Sequence, residues 1–316
     1  MKVIEHLNAA KDTLFSFEIL PPLKGQNIQS IYDGIDPLME FKPKYINVTY
    51  HREEYIYKER EKGLLQKISI RKRPGTGGIC AAIMNKYHVD AVPHLICGGF
   101  SKEETENALI DLQFLGIDNV LALRGDSIKT QSAFKPEPDG HAYAVDLINQ
   151  ISEMNKGNYL VDDIQLDPTN FCIGAAGYPE KHFESMNLST DLQYLKAKVD
   201  AGADYIVTQM FFDNKKFFSF VEKCREIGIN VPIIPGIKPI ATLNHISFLP
   251  KVFHIDFPEE LSKELIKCKS NKEVFDVGVE WAIHQSKELK EAKVPGIHYY
   301  TMSTSNSVKA IAEQIF

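Results

Sequence analysis

Most of the short signatures that betray a protein's chemistry are missing from these 316 residues. The five cysteines, Cys80, Cys97, Cys172, Cys224 and Cys268, are odd in number and far apart, with no CxxC spacing. That pattern argues against a disulfide scaffold or a thiolate zinc site and suits reduced thiols in a cytoplasmic protein. The longer charge-free runs, such as Ala91 to Phe100 and Phe171 to Pro179, fall far short of the roughly 20 apolar residues that cross a bilayer. Met1 to Ala10 carries Lys2, Glu5 and His6 and no apolar stretch of signal-peptide length, so the mature chain is expected to start at or near Met1. A net charge of −6, from 36 basic and 42 acidic residues with no long basic run, speaks against nucleic acid or an anionic membrane as the main partner. No HExxH is present, and His51, His88, His141, His254 and His284 lack metal-ligand spacing, so no metal is expected. Gly75-Thr-Gly-Gly78 is neither a dinucleotide fingerprint nor a P-loop, and there is no GxSxG elbow. No Pro/Gly/Ser-rich linker divides the chain, which is read as one domain over residues 1–316.

What is present is a repeated unit. Leu115-Gly-Ile-Asp-Asn-Val, Ala201-Gly-Ala-Asp-Tyr-Ile and Ile227-Gly-Ile-Asn-Val-Pro each follow an amphipathic helical pattern and lead into an apolar run. Gly116, Gly202 and Gly228 read as left-handed residues that stop those helices. Ser101 with Glu104 forms a capping box, and Asp213 can cap the helix carrying Phe217. Eight strand-length apolar runs follow along the chain: Leu14–Leu20, Tyr45–Tyr50, Val92–Cys97, Asn119–Arg124, Phe171–Gly177, Tyr205–Met210, Pro232–Ile237 and Ile297–Met302. They are nearly continuously apolar rather than alternating, as strands covered on both faces are. Helical stretches intervene, including Pro258 to Cys268 and Lys272 to Leu289, and eight such strands in about 300 residues predict an α/β fold of the (β/α)8 TIM-barrel type.

Active sites of such barrels lie at the C-terminal ends of the strands, and here those ends are polar. They carry Glu18, then Thr49-Tyr50, His94, Arg124-Gly125-Asp126, Tyr178-Pro179-Glu180 with His182, Thr208-Gln209, and Tyr299-Tyr300-Thr301. Any one of them has an ordinary structural explanation as an ion pair or a solvated turn. Their convergence on one rim is what points to a site.

In order along the chain, Phe17-Glu18-Ile-Leu-Pro-Pro, Asn47-Val-Thr-Tyr50, Pro93-His-Leu95, Leu121-Ala-Leu-Arg-Gly-Asp126, Gly177-Tyr-Pro-Glu180, Lys196-Ala-Lys-Val-Asp-Ala-Gly-Ala203, Thr208-Gln-Met-Phe-Phe-Asp213, Pro235-Gly-Ile237 and Tyr299-Tyr-Thr301 resemble the methylenetetrahydrofolate reductases over essentially the whole chain. The length resembles the bacterial form, a catalytic barrel alone. The resemblance implies a cytoplasmic homo-oligomer that reduces 5,10-methylenetetrahydrofolate to 5-methyltetrahydrofolate for methionine synthesis. FAD would sit at the barrel rim, with NADH or NADPH as donor in ping-pong kinetics. Glu18 would be the general acid that opens the five-membered ring, its pKa raised by an apolar setting that Phe15, Phe17 and Ile19 could provide. Asp126 would favour the cationic intermediate, and Gln209 and Tyr300 would contact substrate. FAD contacts would fall to Thr49, Tyr50, His94, Arg124, Gly125, Asp126, Tyr143, Ala144, Tyr178, His182, Asp191 and Lys198, with Thr49 near the nicotinamide.

Two departures stand out. Where the family carries a mobile aromatic after the seventh strand, this chain reads Leu243-Asn-His-Ile-Ser-Phe-Leu249, so Phe248 or Leu249 takes that role, or neither does. Ser303-Thr304 replaces the family's Asn-Arg, and His245 or Lys238 could compensate in recognising the glutamate tail. The competing readings are a flavin-free (β/α)8 lyase and a flavin- or folate-binding barrel that has lost turnover.

Overall fold

The computed structural model describes residues 1–23, 25–52, 54–70, 73–127, 133–160, 166–301 and 304–316. Strands β1 (Leu14–Ile19), β2 (Tyr45–Val48), β5 (Asp90–Ile96), β6 (Asn119–Leu123), β7 (Cys172–Gly177), β8 (Tyr205–Thr208), β9 (Ile233–Ile234), β10 (Gly236–Ile237) and β11 (Gly296–Tyr300) form one parallel sheet. A separate antiparallel hairpin, β3 (Glu54–Glu59) with β4 (Leu65–Ile70), lies between β2 and the next helix. The parallel strands run in the order β10, β11, β1, β2, β5, β6, β7, β8, β9. The two ends of that order are halves of one strand interrupted at Pro235, which has no N–H to give but whose carbonyl accepts from His298 N at 2.9 Å. The sheet therefore closes into the expected eight-stranded barrel.

The helices are α1 (Val3–Ala9), α2 (Gln29–Ile35), α3 (Thr76–Tyr87), α4 (Lys102–Phe114), α5 (Ala144–Met154), α6 (Leu188–Asp200), α7 (Asn214–Glu226), α8 (Leu243–Phe253), α9 (Glu259–Lys267), α10 (Asn271–Glu291) and α11 (Asn306–Ile315). None of them is long and apolar enough to cross a membrane. The three expected glycine stops hold in detail, since α4, α6 and α7 each end in the same pair of bonds. Gly116, Gly202 and Gly228 have φ of 71°, 120° and 79°. The residue after each glycine donates five positions back, as Ile117 does to Leu112, Ala203 to Lys198 and Ile229 to Cys224. Ser101 and Glu104 exchange both capping-box bonds, and Asp213 accepts from Lys215 N at 2.9 Å.

Alternation along each strand separates two interiors. Phe15, Phe17, Ile19, Ile46, Val48, Leu95 and Ile173 belong to the main core, together with apolar side chains of the surrounding helices. Tyr45, Val92, Leu121, Cys172, Tyr205, Val207 and Ile234 form a second cluster with Val3 and Leu7 of α1. Helix α1 thus plugs the N-terminal end of the barrel, tied by Val3 N to Asn119 Oδ1 at 2.7 Å and by the Met1 ammonium and His6 to Asp90. All five cysteines are free, four of them buried.

Candidate active site

On β1 the inward positions are Ser16 and Glu18, on β2 Asn47, on β5 His94, and on β11 His298 and Tyr300. This parity overturns one expectation. Phe15, Phe17 and Ile19 lie in the main core outside the barrel, so they do not surround the Glu18 carboxyl. Its surroundings are polar. The side chain is 13% exposed, with His94 Nε2 at 3.9 Å, and Thr301 Oγ1 donates to the Glu18 carbonyl at 2.6 Å. Burial pushes Glu18 up to about 8, against a downward pull from Lys238.

His94 is 7% exposed, lies 3.3 Å from Asn47 Nδ2, and is held down to about 3 by burial and by the charge of His51. His298, within 3.0 Å of Ser16 Oγ, is also held down to about 3 by burial, with His94 adding to the shift. Both rings are neutral at pH 7. The Tyr300 hydroxyl donates to the Thr208 carbonyl at 2.5 Å, crossing directly over Gly236. A Cβ at Gly236 would lie 2.3 Å from Thr208 O and 2.6 Å from the Tyr300 ring, so only glycine permits this crossing. Gln209 accepts from Met210 N through Oε1 at 2.9 Å, which leaves its amide NH2 to donate.

A second group gathers at the ends of β6 and β7 and on α6. Arg124 pairs with Glu184, and His182 Nδ1 lies 3.9 Å from the same carboxylate. The rings of His182 and Tyr178 meet edge to face at 4.8 Å, and Lys198 Nζ lies 5.9 Å from the Tyr178 ring while donating to Ala176 O at 2.9 Å. Asp191 is 8% exposed and accepts from His182 N at 3.1 Å and from Ser185 Oγ at 2.8 Å. Burial draws Lys198 down to about 8, opposed by Asp191 and assisted by Arg124. His182 is lowered chiefly by burial and then by Arg124. Two cations, Arg124 and Lys198, with the His182 ring as a further hydrogen-bonding group beside them, favour an anion with several oxygens. Asp126 is exposed on the same rim and, with Asp191, helps hold the Tyr178 phenol protonated, although burial is the main cause.

The remaining expected residues are less closely joined. Thr49 has a buried hydroxyl with no hydrogen-bond partner among the described residues, and Tyr50 stacks at a tilt on Phe100 with centroids 5.2 Å apart. Gly125 takes φ 82° at the turn between Arg124 and Asp126. Tyr143 is 62% exposed and Ala144 buried at the start of α5. After the seventh strand, Leu249 is fully buried against α9 and α10 and offers no stacking face, whereas Phe248 remains 36% exposed. Ser303 lies outside the described residues. Lys238 is 3% exposed with its Nζ on Tyr300 O at 3.0 Å, inside the barrel mouth and not on an outer surface where a flexible tail would run. Asn47, His298 and Glu184 escaped the sequence reading. Inward parity on β2 and β11 would have singled out the first two, whereas the Glu184 contact with Arg124 joins two loops and has no local signal.

The chain matches the methylenetetrahydrofolate reductase family over residues 2–316. It is 32% identical to "Methylenetetrahydrofolate reductase (NADH) 1" of Arabidopsis thaliana, covering 98% of this chain and 50% of the plant protein. It is 30% identical to the "5,10-methylenetetrahydrofolate reductase" of Salmonella typhimurium, covering 95% of this chain and 90% of that one. The chain spans about half the length of the plant relative and most of the bacterial one. Among solved structures, a Clostridium thermocellum protein described as binding two copies of 5-methyl-5,6,7,8-tetrahydrofolic acid superposes with a TM-score of 0.58 at 13% identity, covering 98% of this chain and 96% of that one. That last likeness concerns the fold alone. By family match and by sequence identity over nearly the full length of a bacterial relative, this chain belongs to the methylenetetrahydrofolate reductase family.

Proposed function

We propose that the chain reduces 5,10-methylenetetrahydrofolate to 5-methyltetrahydrofolate with electrons from NADH or NADPH, passed in ping-pong fashion through FAD. The observation that carries the reading is Glu18, a carboxyl at the barrel mouth whose pKa of about 8 keeps it protonated at neutral pH. The cationic cluster supports the flavin assignment. Arg124, His182 and Lys198 have the donor chemistry to hold a pyrophosphate, and the unpartnered Thr49 hydroxyl offers a further polar contact. Bound there, FAD would supply the two-electron chemistry that no side chain can.

The chain's own part is proton transfer and orientation. Glu18 gives its proton to the folate nitrogen as the five-membered ring opens, and the electron pair of the breaking C–N bond stays on that nitrogen. The Gln209 amide donates to the bound ring system. Asp126, exposed on the rim, favours the positive charge that develops on the substrate. The reading takes the enzyme to be a cytoplasmic homo-oligomer that supplies methyl groups for methionine synthesis, and its free, mostly buried cysteines suit a reducing compartment.

The test is an anaerobic visible spectrum of the purified protein. A flavin spectrum that bleaches on adding NADH or NADPH and returns on adding methylenetetrahydrofolate is expected. Failure of the protein to bind added FAD rules the proposal out. Glu18→Gln should bleach normally with the reductant but not recover with folate, whereas equal loss of both half-reactions contradicts the acid role.

A further inference from the structure

Lys238 is a buried cation that the mechanism above leaves without a task. It follows β10 directly, and among the described residues its Nζ has one hydrogen-bond partner, the Tyr300 carbonyl at 3.0 Å. Ile237 pairs with Tyr299, and Tyr300 pairs with Glu18. Lys238, Tyr300 and Glu18 therefore stand in one row across three adjacent strands, and by alternation their side chains share the inward face. A buried ammonium with one neutral acceptor is costly unless an anion faces it.

The titratable groups around this pair come from four elements. From α8, His245 is held down to about 4 by burial and by Lys238, and its Nδ1 accepts from Ala241 N at 3.1 Å, so the ring is neutral. From β11, the Tyr300 phenol is held far above its ordinary value by burial and by Glu18, and His298 is neutral. From β5, His94 is neutral and faces Glu18. From β1, Glu18 itself is the group in this set that can become an anion near neutral pH.

We propose that Lys238 is a positioning residue for the acid step, holding its charge opposite Glu18 so that the carboxylate formed by proton donation has a partner. The inference rests on Glu18 being the acid. In the step, the Glu18 O–H bond breaks, an N–H bond forms on the folate nitrogen, and the electron pair remains on the carboxylate facing the ammonium, which keeps its own proton. Glu18 then reloads from water. The coupling is mutual. Burial raises Glu18 and Lys238 pulls it down, while burial lowers Lys238 and Glu18 pulls it up.

The experiment is a carboxyl 13C NMR titration of the FAD-loaded protein labelled at glutamate, with the Glu18 signal assigned by its loss in Glu18→Gln. Lys238→Met should raise the Glu18 midpoint by about one pH unit or more, the size expected for losing a nearby opposite charge, and Lys238→Arg should bring it back toward the wild-type value. In the folate half-reaction Lys238→Met should be slower, with its alkaline limb moved to higher pH, while flavin bleaching by NADH or NADPH is unchanged. If Lys238→Met does not fold, the converse titration serves. Glu18→Gln, read by lysine 13C signals, should lower the Lys238 midpoint. Unmoved midpoints, with Glu18→Gln still blocking folate reduction, overturn this inference alone. A moved midpoint with folate reduction indifferent to both substitutions overturns the acid reading, and the positioning role falls with it.

Discussion

Glu18 couples the fold's stability to pH as well as its chemistry. Its pKa is raised from 4.5 in an exposed chain to about 8 in the folded one. The folded state therefore holds this proton more tightly than the unfolded state, and the resulting stabilisation is complete below pH 4.5 and is lost as pH rises through about 8. Lys238 runs the other way. Its pKa is lowered from 10.5 to about 8, so its contribution is complete above 10.5 and is lost as pH falls through about 8. Glu18→Gln removes the first dependence. Measured by thermal or urea unfolding, the variant should gain on the wild type as pH rises through the interval from 4.5 to about 8, by on the order of a few kcal/mol. A gap that stays constant across that interval contradicts the raised pKa. Glu18 was legible in the sequence because it closes an apolar run, but the cause of its raised pKa was not. Phe15, Phe17 and Ile19 adjoin it along the chain, yet the two-residue period sends them to the opposite face, and the side chains that do face it come from β5, β10 and β11, far away in sequence.

The parallel strands were legible for a physical reason. Each is covered on both faces and reads as a nearly continuous apolar run, and each helix before β6, β8 and β9 ends in the same glycine stop. Two elements carry no such mark. Helix α1 buries only Val3 and Leu7 in seven residues, too short a stripe to register as a period. The β3–β4 hairpin stands apart from the barrel sheet and leaves Ile56, Tyr57 and Leu65 exposed, so it never forms a continuous apolar run. The plug at the barrel's base is nevertheless anchored in packed surroundings. Leu7→Ala should cost about 2–5 kcal/mol, the usual range for emptying a well-packed leucine site, read as a lowered midpoint in urea unfolding. Gly236→Ala should be damaging for a different reason. Its added methyl has to displace either the Thr208 carbonyl or the Tyr300 ring, so both stability and folate binding should fall, whereas an alanine that leaves Tm and folate affinity unchanged contradicts the crossing of Tyr300 over this strand.

At the scale of the whole molecule, the cationic cluster ties ligand binding to stability. A ligand that binds only the folded chain stabilises it by about 2.7 kcal/mol at a hundred times its Kd, so added FAD should raise Tm in a concentration-dependent way. Because Arg124 and Lys198 would meet the ligand as charges, raising the salt concentration should shrink that gain. Arg124→Ala should weaken FAD binding and reduce the gain at any fixed concentration of FAD. An unchanged Tm with FAD, or a shift indifferent to both salt and Arg124, removes the cluster from the flavin assignment.

Helix α1 covers the N-terminal end of the barrel, opposite the strand ends that carry Glu18. Val3 and Leu7 fill the base with apolar contacts, leaving the mouth as the route by which water reaches Glu18. A ligand seated across that mouth would shield the acid together with whatever proton it already holds. On the proposed reaction, each turnover would start with one stored proton, spent under the bound ligand and replaced only after product has left. Proton uptake from solvent should therefore keep time with product departure and not with the chemical step, like a single-shot vessel that must be opened to be refilled.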